Sequence, residues 1–351
     1  MPANRGKLLV RGSINVDEFF EVPHIVKSGE TISSTTFSRR AGGKGANQAV
    51  SAAKAGASVE LAATIGNDGI WLEEVLSPYG VSTSLLALDE ELPTGRAIIQ
   101  LSSSTADNSI VLLPGANFAS TSTLPSPDDL ASTYTHLLLQ NEIPFDATRD
   151  ALRRGKQAGL TTLWNPSPMP TTPALHAFEW ESLDWLLINE GEGKDLVAAL
   201  SQESESSVAP STADSPEDVM RQLRQGRLGS LTGIIMTLGG EGAMASLRGS
   251  ETLVRVPAGK LAGPVTDTTG AGDCLSGFFA TLLSTVESSS TDTLRSGTLE
   301  SILSIACQAA AMCVEKHGAM ESMPTLKEVK ERMGGDWSDG IDGQPWDVLL
   351  A

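Results

Sequence analysis

Two glycine-rich stretches hold the residue types that could do chemistry. The first, Asp267-Thr-Thr-Gly-Ala-Gly-Asp273, runs straight into Cys274 to Val286, where Leu275, Phe278, Phe279, Leu282 and Leu283 recur at helical spacing. Gly270-Ala271-Gly272 therefore reads as a tight loop feeding a helix start. Unpaired N–H groups and the positive end of the helix dipole make such a place a seat for an anion. Asp273 follows at once, and a carboxylate beside an anion seat is a candidate for handling a proton. The plain alternative is an Asp that caps the helix after a glycine turn. The second stretch is Ala41-Gly-Gly-Lys-Gly-Ala-Asn-Gln48. It fails the dinucleotide fingerprint G-x-G-x-x-G because Gln48 stands where the last glycine belongs, and neither loop ends in Gly-Lys-Ser/Thr. It offers a backbone that a ligand can approach closely, with Lys44 and Asn47 as polar groups at a helix start. A small polyol suits it; a glycine turn made only for packing is the other reading.

These loops need a scaffold, and the chain has the alternation to supply one. Strand-like runs at Leu8 to Val10, Val59 to Thr64, His136 to Gln140, Thr161 to Asn165, Asp184 to Ile188 and Gly233 to Leu238 are interleaved with helix-like runs. The latter lie at Gly45 to Ala55, Ile70 to Leu76, Asp146 to Ala158 and after Asp273. That order predicts an α/β fold, a parallel sheet with helices on both faces. Two regions, Glu18 to Arg39 and Arg96 to Leu113, interrupt it with short alternating runs and are predicted to form a separate small β layer, a lid. Ser103 to Asn108 reads as a hairpin turn within it. Ser201 to Pro216, nearly all Ser, Glu, Ala and Pro, reads as a solvated insertion with no means of building a core.

Composition narrows the partners. The 351 residues are 40% hydrophobic, enough for a large domain with a sizeable core. A net charge of −18 repels nucleic acid and anionic membranes, so neither is expected as a partner. An anion would have to be held by local devices: helix N-termini, a few lysines, a divalent metal. No apolar stretch approaches the ~20 residues of a membrane span, and the polar Met1 to Lys7 does not read as a signal peptide. Cys274, Cys307 and Cys313 sit in apolar helical stretches and read as reduced core residues of a cytoplasmic, or also nuclear, protein. His24, His136, His176 and His317 form no cluster with metal-ligand or triad spacing.

The two glycine stretches resemble the signatures of the ribokinase–phosphofructokinase-B superfamily of sugar kinases. Further matches run in order along the chain: Gly12-Ser-Ile-Asn-Val-Asp17, Leu113-Pro-Gly-Ala-Asn117, Gln140-Asn-Glu-Ile-Pro144, Asn165-Pro-Ser-Pro168, Asn189-Glu-Gly-Glu192, Thr237-Leu-Gly-Gly-Glu-Gly242 and Gly318-Ala-Met-Glu-Ser-Met-Pro324. The last looks most like the fungal ribokinase branch. The resemblance implies a Rossmann-like three-layer kinase domain over residues 1–335, with lid strands from about 16–40 and 95–114. The insertion at 201–216 and a tail at 336–351 stand outside it. It implies ATP-dependent phosphorylation of D-ribose at O5, with a sibling kinase of another pentose, ketohexose or nucleoside as the alternative and a non-catalytic sensor as a remoter one.

Laid on matching positions, the resemblance gives the sugar to Asn15, Asp17, Gly43, Lys44, Gly45, Ala46, Asn47 and Glu142. It makes Asp273 the general base and Gly270, Ala271 and Gly272 the anion hole for the γ-phosphate. The nucleotide would meet Asn189, Thr237, Leu238, Gly239, Gly240, Glu241, Gly242, Gly272, Asp273 and Cys307, the last where bacterial relatives carry an Asn. Asn189 and Glu192 would serve the Mg2+–phosphate region; an acidic first helical turn is the plainer reading there. Asp267, Thr269, Cys313, Lys316, Gly318 and Ser322 would hold K+, mostly through backbone carbonyls. The lid would pair two chains into a homodimer.

Overall fold

The structure, a computed structural model, describes residues 7–105, 107–120, 124–201, 215–289 and 294–334. The chain opens with β1 (Lys7–Arg11), then leaves the main sheet for β2 (Asn15–Val22) and β3 (Thr36–Gly42). It returns through α1 (Lys44–Lys54), β4 (Ser58–Gly66), α2 (Trp71–Leu76) and β5 (Val81–Asp89), and departs again into β6 (Gly95–Ser102) and β7 (Asn108–Leu113). The second half alternates: α3 (Pro127–Thr133), β8 (His136–Leu139), α4 (Phe145–Gln157), β9 (Thr161–Trp164), α5 (Thr172–His176), β10 (Trp185–Asn189), α6 (Glu190–Ser201), α7 (Pro216–Gln225) and β11 (Gly233–Thr237). Two short strands, β12 (Ala243–Leu247) and β13 (Val254–Val256), precede the helices α8 (Ala271–Ser289), α9 (Ser296–Cys313) and α10 (Leu326–Met333).

The nine-stranded main sheet has the order β13-β12-β11-β10-β9-β8-β1-β4-β5. From β5 to β11 every pairing is parallel, and β12 and β13 add antiparallel pairings at one edge. Leu8 and Val10 belong to one buried cluster with Phe278, Phe279 and Trp185. Leu9, between them, faces the other with Leu137, Trp164 and Trp180. Alternate residues of one strand thus reach two separate cores, as a sheet covered on both faces requires. The sequence expectation of a mostly parallel, three-layer α/β domain holds. It omitted β5, β12 and β13: β5 is mostly half-buried and carries Ser and Thr before its leucines, and the last two are short and partly made of small residues.

The two interruptions do form a separate sheet, in the order β3-β2-β6-β7. β6 and β7 pair antiparallel as the expected hairpin, while β2 pairs antiparallel with β3 and parallel with β6. Most of the Ser-rich run, residues 202–214, and the tail at 336–351 lie outside the described residues. Ser215 closes that gap as an N-cap, accepting from Asp218 N at 3.2 Å.

Candidate active site

In the main sheet β1 continues to β4 on one side, while β8 and its successors build the other. The carboxyl ends of β1 and β8 therefore frame a topological switch point, where open α/β sheets bind ligands. Both glycine stretches converge there. Gly45 has no Cβ because one would lie 2.5 Å from Ser13 N, so α1 starts directly against the turn that leaves β1. Ala46 N completes the contact by donating to Ser13 O at 2.9 Å.

That contact builds a polar cradle. Glu142, just beyond β8, accepts from Ser13 Oγ at 2.6 Å and from Lys44 N at 2.9 Å through the same oxygen, Oε2. Asn15 presents its amide from the start of β2, its Oδ1 accepting from Asn117 Nδ2 at 2.7 Å. Asn117 Oδ1 in turn holds Ile14 N at 2.9 Å. Asp17 folds its carboxylate over Gly42, where a Cβ would stand 2.0 Å from Oδ2. Burial, and then the charges of Glu142, Glu321 and Asp273, push the Asp17 pKa up to about 7. At that value it straddles neutrality. Lys44 is the counterweight: Asp273 first, with Glu142 and Glu192, raises its pKa against the opposing effect of burial.

Asp273 closes the cradle. It is 6% exposed, and its carboxylate turns away from its own helix. Oδ2 accepts from Asn47 Nδ2 at 3.0 Å and Oδ1 from Gln48 Nε2 at 2.9 Å. Gln48 is fixed in turn by Asn165 Oδ1, to which it donates at 3.1 Å, and by Gln140 Nε2, from which it accepts at 2.6 Å. Gln48 and Asn165 were not singled out as site residues. Gln48 was noted only as the residue that breaks the dinucleotide fingerprint, although its place beside Asn47 on the first turn of α1 was the available signal. The helix-cap alternative for Asp273 fails, since its hydrogen bonds come from α1. At the same helix start Ala271 N closes a turn on Thr268 O at 3.3 Å, and Cys274 N reaches Gly270 O at 2.7 Å. Among the described residues the N–H groups of Gly270, Gly272 and Asp273 meet no acceptor. The expected anion seat thus keeps three open N–H groups, with Asp273 N in place of Ala271 N, which is already engaged.

Two clefts meet at this seat. The smaller, about 220 Å³, is lined by Lys44, Asn165, Asn189, Glu192, Gly270 and Asp273 among others. The larger, about 910 Å³, lies between the Thr237–Gly242 loop and the α9 residues Cys307, Ala310 and Ala311. Thr237, Thr268, Gly272 and Leu275 border both. Not every residue expected at the nucleotide lines the large cleft. Leu238 is buried in the core and donates its N–H to Gly242 O at 2.8 Å, so it shapes the loop without lining the large cleft. Asn189 borders the small cleft only. Cys307 does line the large one, as a neutral contact, because burial pushes its thiol up to about 12. Lys260, missed in the sequence, also lines it; its backbone is clamped by the Gln308 amide, which accepts from Lys260 N at 2.9 Å and donates to Lys260 O at 3.0 Å.

Asn189 and Glu192 form a reciprocal capping box at the start of α6: Asn189 N donates to Glu192 Oε2 at 2.9 Å, and Glu192 N to Asn189 Oδ1 at 2.8 Å. The plainer reading of this pair is therefore correct as far as it goes. Glu192 Oε1 remains a hard oxygen at the small cleft. On the other side of the anion seat, Asp267 accepts from Thr269 N at 2.9 Å and Gly318 N at 3.0 Å. Burial alone would raise its pKa, but these bonds outweigh it and hold the carboxyl below its usual value. Cys313 Sγ lies 3.8 Å from Thr269 O and 2.9 Å from Ser322 Oγ, and Lys316 N closes a turn on Cys313 O at 3.2 Å. The six residues expected at a monovalent-cation site are thus linked by short contacts. The carboxylate, hydroxyl and carbonyls they bring are the oxygen donors an alkali cation takes.

Residues 5–326 match the model of the pfkB family carbohydrate kinases. A ribokinase of Haemophilus influenzae is 30% identical over 330 residues, 93% of this chain and 98% of the relative. The ribokinase of Cryptococcus neoformans, solved with ADP, superposes with a TM-score of 0.79 at 44% identity, covering 93% of this chain and 99% of that one. Arabidopsis thaliana ribokinase, solved with ribose and ATP, superposes at 0.78 with 29% identity, covering 94% and 99%.

Proposed function

From the membership of this chain in the pfkB family of carbohydrate kinases, we propose that it is an ATP-dependent ribokinase, transferring the γ-phosphoryl group of ATP to O5 of D-ribose. The observation that carries the reading is Asp273, buried where the polar cradle, the anion seat and the nucleotide-sized cleft come together. Ribose lies in the cradle, its hydroxyls shared among Asn15, Asp17, Gly43 to Asn47 and Glu142. The adenosine of ATP occupies the large cleft against Gly239, Gly240 and Cys307, and the phosphates pass Thr237 and Gly272 toward the anion seat. Asp273 takes the proton of the 5-hydroxyl as that oxygen attacks phosphorus. Asn47 and Gln48 hold both carboxylate oxygens toward the sugar, and the N–H groups of Gly272 and Asp273 stabilise the charge on the moving phosphoryl group. Lys44, at the rim of both sites, adds a positive charge.

Glu192 Oε1 and the Asn189 turn would hold Mg2+ through water, and the metal would supply charge neutralisation on the phosphates. The Asp267, Thr269, Cys313, Lys316, Gly318 and Ser322 cluster would take K+, whose charge would steady the loop that presents Gly270 to Gly272. Both assignments are supported by the oxygen donors present. The apolar residues exposed along β7 support pairing of two chains through the lid. The test is ADP release from ATP across a panel of ribose, 2-deoxyribose, fructose and adenosine. Ribose should give the highest kcat/KM; a higher value for any other member would reassign the substrate.

A further inference from the structure

A third cavity, of about 270 Å³, lies apart from the two clefts and is walled by Arg11, Phe118, Leu124, Pro144, Ala147 and Asp150. Its walls continue the cradle: Arg11 precedes the turn to Ser13, Phe118 follows Asn117, and Pro144 follows Glu142 by two residues. Most of the lining is apolar, and Arg11 is the anomaly. It ends β1 and is 5% exposed, yet among the described residues the sole hydrogen bond of its side chain runs from Nη1 to Ala62 O at 3.2 Å, and no carboxylate pairs with it. Asp150, the other charged group of the lining, is taken up by Arg153 at 2.5 Å and Arg154 at 3.7 Å. Burial pushes the Arg11 pKa down only to about 10, so the group is a cation at neutral pH. A buried charge left unpaired is costly and is normally matched by an anion. Guanidinium presents five N–H donors in a planar fork that fits a carboxylate, and one of them is engaged here.

We propose that this cavity binds a small organic carboxylate, with Arg11 pairing the carboxylate and Phe118, Leu124, Pro144 and Ala147 enclosing its apolar body. An apolar protein cavity of about 150 Å³ accepts benzene, so the volume here admits a ring together with its charged group. Thermal unfolding with benzoate as the probe and neutral benzamide as its control tests the site. Saturating benzoate should raise the wild-type Tm by ~2–4 °C and benzamide should not. Arg11→Met, which removes the cation, and Ala147→Leu, which fills the space without touching it, should each abolish the response. Three results would overturn the site: no benzoate shift in the wild type, an equal shift with benzamide, or a shift of wild-type size kept by either variant. The last would place benzoate elsewhere, for instance at the anion seat of α8. Should Arg11→Met not fold, Ala147→Leu carries the test alone.

Discussion

Asp273 owes its orientation to two neutral amides, and that dependence can be measured. Gln48→Leu removes one hydrogen bond to the carboxylate and leaves the other in place. A bond to a charged group is worth about 1.5–3 kcal/mol, so kcat should fall by roughly one to two powers of ten, with the KM for ATP unchanged. A parallel loss of ATP affinity would make Gln48 a packing residue. Asp17 gives a pH signature. In the proposed ribose site the sugar hydroxyls would donate to its ionised form, and burial pushes its pKa up to about 7. Ribose affinity is therefore full above that value and declines as pH falls through it. The KM for ribose should rise roughly tenfold between about pH 8 and about pH 6, and Asp17→Asn should flatten the profile. A wild-type KM that stays level over this range would remove Asp17 from sugar binding. The identities of these residues were legible in the sequence, because glycines and acids crowd into short motifs. Their states were not: the pKa of Asp17 depends first on its burial and then on Glu142, Glu321 and Asp273, all of which only the fold brings about.

Among the elements, α8 does most to define the site, and the two glycines at its start have different reasons to be glycine. Gly270 has φ 79° and a Cβ there would stand 2.9 Å from Ala319 Cβ, so Gly270→Ala should cost about 1–2 kcal/mol and lower the Tm. A Cβ on Gly272 would meet nothing within 4 Å in the protein, but it would project where the two clefts join. Gly272→Ala should therefore keep the wild-type Tm and still raise the KM for ATP. Unimpaired ATP use would place the phosphates elsewhere. The helix itself was readable from the spacing of Leu275, Phe278, Phe279, Leu282 and Leu283, and so were the buried strands, because long bulky runs announce both. β12 and β13 were not. They are three to five residues long, and their burial follows from extending the sheet past β11, β12 directly and β13 beside β12, rather than from any run of their own. The capping box of Asn189 and Glu192 was legible only as one of two readings, since the same residue types serve a helix start and a phosphate site.

At the scale of the whole molecule, the small sheet supplies Asn15, Asp17 and Gly42 to the cradle and carries an edge strand, β7, paired on one side only, with β6. Ile110, Val111, Leu112 and Leu113 are all exposed, Val111 at 58%, although neighbours along a strand point to opposite faces. Such an edge invites a second copy. Sedimentation at micromolar concentration should give twice the 36.7 kDa chain mass, and Val111→Lys with Leu112→Lys should return the monomer. A wild-type monomer would end the pairing. The division into a parallel sheet and a lid could be foreseen from the order of elements, whereas the meeting of three spaces at Asp273 could not, because cleft shape is set by loops packed from distant parts of the chain. The proposed phosphoryl transfer depends on Asp273 as the base that takes the ribose proton. Its direct test is Asp273→Asn, followed by ribose-dependent ADP release and by calorimetric ribose binding. Turnover should fall ~10²–10⁴-fold while ribose still binds; turnover within a few-fold of wild type would contradict it.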